Sequence, residues 1–143
     1  MAWAKRNPGD GIDKRDIYEV WGDVIEDAAD AGPVVIQAVC TSLAGYFACQ
    51  LSAAEEDGRE FLMVSYGSNM VAEVDARPFG DHLDVYAILA LRGGLLASPD
   101  PAAKIAELEG WQRRDLQLFQ TVVKRAIEEA LEAVDEGRMG YAP

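Results

Sequence analysis

Apolar and polar positions follow three different rhythms along the chain, and each rhythm predicts a different element. Ile17, Val20, Trp21, Val24, Ile25 and Ala28 recur at the spacing of one helical face, with Glu19, Asp23, Glu26, Asp27 and Asp30 on the other side. This predicts a first helix from about Asp16 to Asp30. Gly32 interrupts the pattern, and Pro33 suits the first turn of a second helix, where a missing N–H costs nothing. From Ala31 to Ala54, between Asp30 and Glu55, twenty-four consecutive positions carry no charge. That stretch predicts a second helix, hidden on nearly every side, running to about Glu56.

From Glu60 the period falls to two. Phe61, Met63 and Ser65 alternate with Leu62, Val64 and Tyr66, and Gly67, Ser68 and Asn69 supply turn chemistry. Strands are predicted over about 60–66, 70–77 and 82–91, with Pro78 to Asp81 as the second turn. This makes a three-stranded antiparallel meander. Pairing across the second turn sets Arg77 opposite His82, Asp75 opposite Asp84, Glu73 opposite Tyr86 and Val71 opposite Ile88. One face then carries Phe61, Met63, Met70, Ala72, Val74, Leu83, Val85, Ala87 and Leu89, and meets the helices. The other has an apolar end of Leu62, Val64, Tyr66, Val71, Tyr86 and Ile88 and a polar end of Glu60, Glu73, Asp75, Arg77, His82 and Asp84. Apolar residues gathered on an open sheet face mark an interaction surface, so those six are the candidate protein-binding residues.

Asp100 is placed to cap a last helix that begins at Pro101. Its apolar positions, Ile105, Leu108, Trp111, Leu116, Phe119, Val123, Ala126, Ile127, Ala130 and Val134, keep helical spacing to the stop at Gly137. Unbroken to Glu136 it would be about 54 Å long, against a diameter near ~37 Å for a compact chain of this size. It must therefore break, with Gly110 as the natural place, or project. The predicted architecture is α+β, with two N-terminal helices, a three-stranded antiparallel meander and a long C-terminal helix, the helices layered on one face of the sheet. Residues 1–15 read as a flexible basic arm, 16–137 as a single domain and 138–143 as a tail.

Composition narrows the function classes. At 143 residues and 50% hydrophobic content the chain can bury one real core. Its 25 acidic residues against 13 basic ones, net charge −12, oppose direct binding of nucleic acid, which needs a basic face to neutralise phosphates. The arm is the exception: Lys5, Arg6, Lys14 and Arg15 outweigh Asp10 and Asp13. Gln37, Thr41, Ser42 and Gln50 interrupt the uncharged run, and no Lys or Arg cluster flanks it, so no membrane association is expected. Polar Asn7 to Asp10 follow Lys5 and Arg6 where a targeting signal would turn apolar. The expected compartment is the cytoplasm.

Candidate chemistry is sparse, and no cofactor is expected. Glu73, Asp75 and Asp84 form a carboxylate cluster on the polar end of the sheet, and directly opposed like charges invite a divalent cation. His82, the only histidine, is the one candidate base, and a zinc site built on several His or Cys ligands does not fit one chain. Cys40 and Cys49, if both helical, lie on opposite faces and cannot bond to each other. The reading that best fits is a non-enzymatic acidic binding or adaptor protein acting as a homodimer that holds a partner polypeptide. Small acidic secretion and assembly chaperones are similar in these gross properties, although their order of elements puts strands after the first helix. The alternatives are a metal-dependent hydrolase or lyase built on the carboxylate cluster, and an acidic inhibitor that mimics nucleic acid through Glu128, Glu129, Glu132, Asp135 and Glu136.

Overall fold

A computed structural model describes residues 4–5, 12, 14–45, 49–56, 59–67, 69–92 and 100–140, with the backbone alone for 4–5, 54–56, 59–60 and 136–140. The chain is α+β, but among the described residues its sheet has five antiparallel strands, with a two-residue parallel strand added at one edge, and its N-terminal part holds one α-helix. In chain order the elements are β1 (Ala4–Lys5), a single 3₁₀ turn (Lys14–Asp16), β2 (Ile17–Ile25), α1 (Gly32–Ala44) and β3 (Gln50–Glu56). Then come β4 (Arg59–Tyr66), β5 (Met70–Phe79), β6 (His82–Leu91), α2 (Pro101–Glu107) and α3 (Gly110–Gly140). The strand order is β1-β3-β4-β5-β6-β2. Two residues of the N-terminal arm thus join the sheet, Ala4 and Lys5 pairing in parallel with Ala54 and Glu55.

The two-helix prediction fails at both helices. Ile17–Ile25 is a strand that pairs antiparallel with β6, from Ile17 against Ala90 to Ile25 against Leu83, with a bulge at Tyr18. Six of its nine residues are β-branched or aromatic, a content that fits a pleated surface better than a helix, and Gly22 adds a further cost to any helix there. The uncharged run also contains two elements. α1 ends at Ala44, and the chain returns as β3, which pairs with β4 from Gln50 against Ser65 to Glu56 against Arg59. Absence of charge marks burial, and a helix followed by a strand satisfies it as well as one long helix does.

Strand pairing corrects the meander. Tyr66 pairs with Met70, so three residues form the β4–β5 turn, with Gly67 at φ +64°. Leu62 then stands opposite Val74 and Val64 opposite Ala72, which puts Leu62, Val64 and Tyr66 on the helix side and Phe61 and Met63 on the far side. Between β5 and β6 only Gly80 and Asp81 turn, with Gly80 at φ +62°. Pro78 remains in the strand, so the pairing shifts by two residues. Arg77 faces Asp84, Asp75 faces Tyr86, Glu73 faces Ile88 and Val71 faces Ala90.

One core follows from this pairing. Val35, Ile36, Val39 and Leu43 of α1 and Phe119, Val123, Ala126 and Ile127 of α3 pack on Leu62, Val64, Ala72, Val74, Leu83, Val85, Ala87 and Leu89. Each large side chain fully withdrawn from water contributes about 1.5 to 3 kcal/mol. The Asp100 carboxylate accepts from the Ala102 N–H at 3.0 Å, capping α2 as its sequence implies. α2 ends at Leu108 in extended conformation, and α3 starts afresh at Gly110, so the long helix breaks at that junction. Lys104 of α2, itself buried, reaches Asp16 at 2.5 Å and the Leu91 carbonyl at 3.4 Å. Lys124 and Gln120 of α3 meet the two oxygens of Glu19 at 2.6 and 3.2 Å, fastening the helix to β2. Among the described residues no helix is long and apolar enough to cross a membrane.

Candidate binding surface

The sheet face turned away from α1 and α3 is closed in its middle and open towards β2 and the β5–β6 hairpin. Phe61, Val71, Asp75 and Ala90 are buried there, whereas Val20 is 64%, Val24 50% and Phe79 68% exposed. Val20, Gly22 and Val24 share a face with Ile88, Tyr86 and Asp84, their partners on β6. Gly22 is required by the close approach of those strands. A Cβ there would fall 2.8 Å from the Val85 carbonyl oxygen and 2.9 Å from the Tyr86 Cβ.

The outer edge of β2 has an identifiable orientation. The Val24 N–H donates to Asp23 Oδ1 at 2.8 Å, so it points away from β6. Strand geometry turns the backbone groups of Gly22 and Val20 the same way. Beside this edge, on the helix side of the sheet, lies a groove of about 480 Å³ lined by Asp23, Val24, Ile25, Glu26, Leu131, Glu132 and Asp135. Four acidic residues thus share one hollow between β2 and α3 with Ile25 and Leu131, and Val24 borders it from the strand edge.

The polar residues of the far face satisfy one another. Asp75 accepts from the Tyr86 hydroxyl at 2.9 Å and from the Ala76 N–H at 2.8 Å. Arg77 pairs with Asp84 at 3.1 Å, and its guanidinium carbon lies 5.3 Å from the centre of the Tyr86 ring. The Asp84 hydrogen bond holds the Arg77 pKa above its ordinary value. The like-charge pairing of Asp75 with Asp84, which motivated a cation at Glu73, Asp75 and Asp84, does not occur in this register. Among the described residues no group of three His, Cys, Asp or Glu side chains is arranged to hold a metal ion. His82 Nδ1 accepts the Asp27 N–H at 3.1 Å, where Asp27 adopts φ +54°, and the neighbouring Ala29 N–H donates to the Asp81 carbonyl at 3.2 Å. The histidine therefore fastens the β2–α1 turn to the β5–β6 hairpin.

Of the six candidate protein-binding residues, Leu62 and Val64 are core residues beneath the helices and Tyr66 packs on the same core. Val71 is buried on the far side, and Tyr86 and Ile88 are half-buried there. The exposed apolar side chains that accompany Tyr86 and Ile88 are Val20, Val24 and Phe79. The first two were masked by the helical reading of β2 and the third by its assignment to a turn. Cys40 is buried and Cys49 half-buried, and both thiols are free. Burial pushes the Cys49 thiol up to about 11, which removes it from nucleophilic work at neutral pH. Compared with protein-family models, curated proteins and solved structures, the chain gives no match.

Proposed function

We propose that the protein is a non-enzymatic binding protein, an adaptor or assembly chaperone of the cytoplasm, that holds a polypeptide partner along β2 and the adjoining far face of the sheet. The observation that carries this reading is the concentration of exposed apolar side chains, Val20 and Val24, on a strand that has a neighbour on one edge only among the described residues. Natural proteins blunt such an edge or use it, because its free N–H and C=O groups accept another strand. The acid–base groups of the far face support binding over catalysis, since Asp75, Tyr86, Arg77 and Asp84 are engaged with one another and His82 uses Nδ1 in the backbone.

The test is panning of a random peptide library on the immobilised chain, with a Val20→Asp/Val24→Asp double variant beside it. Peptides enriched on the wild type and lost on the variant are expected. No enrichment, or equal enrichment on both proteins, contradicts the reading.

A further inference from the structure

We propose that the outer edge of β2 takes an extended polypeptide segment in which apolar residues alternate with lysine or arginine, added to the sheet as a further strand. The inference rests on the binding reading above and names the partner's chemistry. The backbone groups of Val20, Gly22 and Val24 face outward, and among the described residues no strand pairs with them. From Val20 to Val24 the edge spans about 13 Å at ~3.3 Å per residue, enough to align about five residues of ligand.

The two sides of this edge differ, and that difference sets the alternation. On the far side an added strand meets Val20, Val24 and the Tyr86 ring. On the helix side it meets the groove, where Asp23, Glu26, Glu132 and Asp135 surround Ile25 and Leu131. Successive side chains of a strand point to opposite faces, so apolar residues fall on the first side and basic residues on the second. A lysine or arginine suits the groove twice over, because its aliphatic stem covers Leu131 while its charge meets the carboxylates.

Asp23 adds selectivity. Its carboxylate occupies the outward N–H of Val24 and so blunts the edge against indiscriminate pairing. A basic side chain draws that carboxylate away and frees the amide, whereas a neutral or acidic segment leaves it in place. A second copy of the chain is a poor occupant for the same reason. Pairing β2 with itself would bring Asp23, Glu132 and Asp135 near their own copies in a protein of net charge −12.

The probe is a capped nonapeptide of alternating valine and lysine, titrated into the full chain by fluorescence anisotropy. Comparators are the valine–glutamate peptide and two N-methylated forms of the valine–lysine peptide, one methylated on the valine amides and one on the lysine amides. Binding of the valine–lysine peptide is expected, at least 100-fold weaker for valine–glutamate. One N-methyl series should lose binding at least tenfold and the other keep it, because alternate amides of a strand face opposite edges. Glu132→Gln/Asp135→Asn should weaken binding about tenfold with an unchanged circular dichroism spectrum.

Equal effects of the two N-methyl series overturn the proposal, since diffuse charge attraction has no edge. Failure of the valine–lysine peptide to bind also overturns it. If library panning then yields peptides without basic residues that still need Val20 and Val24, the binding reading stands and this inference alone falls. A chain that is dimeric in solution and becomes monomeric with Val24→Asp assigns the edge to a second copy and overturns the proposal as well.

Discussion

The Tyr86 hydroxyl donates to Asp75 Oδ2 at 2.9 Å across neighbouring strands, and Asp75 is only 1% exposed. A carboxylate this well covered depends on its donors. Tyr86→Phe keeps the ring beneath Arg77 and removes one donor from Asp75. The expected loss is about 1 to 3 kcal/mol of unfolding free energy, read as a lower urea midpoint with an unchanged slope. Asp75→Asn in the same background should recover part of it, because the neutral amide tolerates the lost donor better.

Gly22 makes a sharper steric claim. Gly22→Ala places a methyl within 3 Å of the Val85 carbonyl oxygen and the Tyr86 Cβ, so β2 must move away from β6. A destabilisation of about 1 to 3 kcal/mol is expected. Gly110→Ala is the control, since a Cβ there meets nothing within 4 Å.

Alkaline pH should weaken the fold through two half-buried acids. Burial raises the Cys49 thiol from 9.0 to about 11, and burial, with the Glu19 charge second, raises Tyr18 well above 10.0. Between the unfolded and folded values the native state holds more protons than the unfolded state, so stability falls as pH rises. For Cys49 the decline runs from about pH 9 to 11, and for Tyr18 it begins near pH 10. The Tyr18 hydroxyl is also buried without a hydrogen-bond partner. Tyr18→Phe should therefore hold or raise the melting temperature at pH 7 and flatten its fall above pH 10, as differential scanning calorimetry across pH would record.

Lys104 and Asp16 join α2 to the turn before β2, and Lys104 is buried. Lys104→Met leaves the carboxylate without its cation, at an expected cost of about 3 kcal/mol. Adding Asp16→Asn should restore most of that loss, and a double-mutant cycle in urea measures the coupling.

The sequence exposes those elements whose burial is one-sided. β6 alternates cleanly because Leu83, Val85 and Ala87 enter the core while Asp84, Tyr86 and Ile88 are only half-buried, and β5 keeps an alternation of residue type from Ala72 to Asp75 although Glu73 and Asp75 are buried on the far face. β2 misleads because it lies at the sheet's edge. Glu19 and Asp23 point to the helix side together with Trp21 and Ile25, since Glu19 reaches Lys124 and Asp23 borders the groove. Val20 and Val24 meanwhile point outward. Apolar residues on both faces then fall at helical spacing, and only the β-branched and aromatic content of Ile17–Ile25 speaks for a strand. The uncharged run conceals the boundary between α1 and β3 for a related reason, as charge reports burial and not shape. Far-face residues Tyr86 and Ile88 were legible from alternation, but Leu62 and Val64 were placed on the wrong face, because the three-residue turn pairs Tyr66 with Met70 and so sets Leu62 and Val64, not Phe61 and Met63, beside Val74 and Ala72.

Amide hydrogen exchange along β2 tests the central claim most directly, with the chain free and then with a bound peptide. Fast exchange at Val20 and Gly22, slow exchange at Trp21, Asp23 and Ile25, and slowing of the first two on peptide addition are expected. Uniform protection along β2 in the free chain, or peptide-induced protection confined to other elements, would contradict an open edge that receives a partner strand.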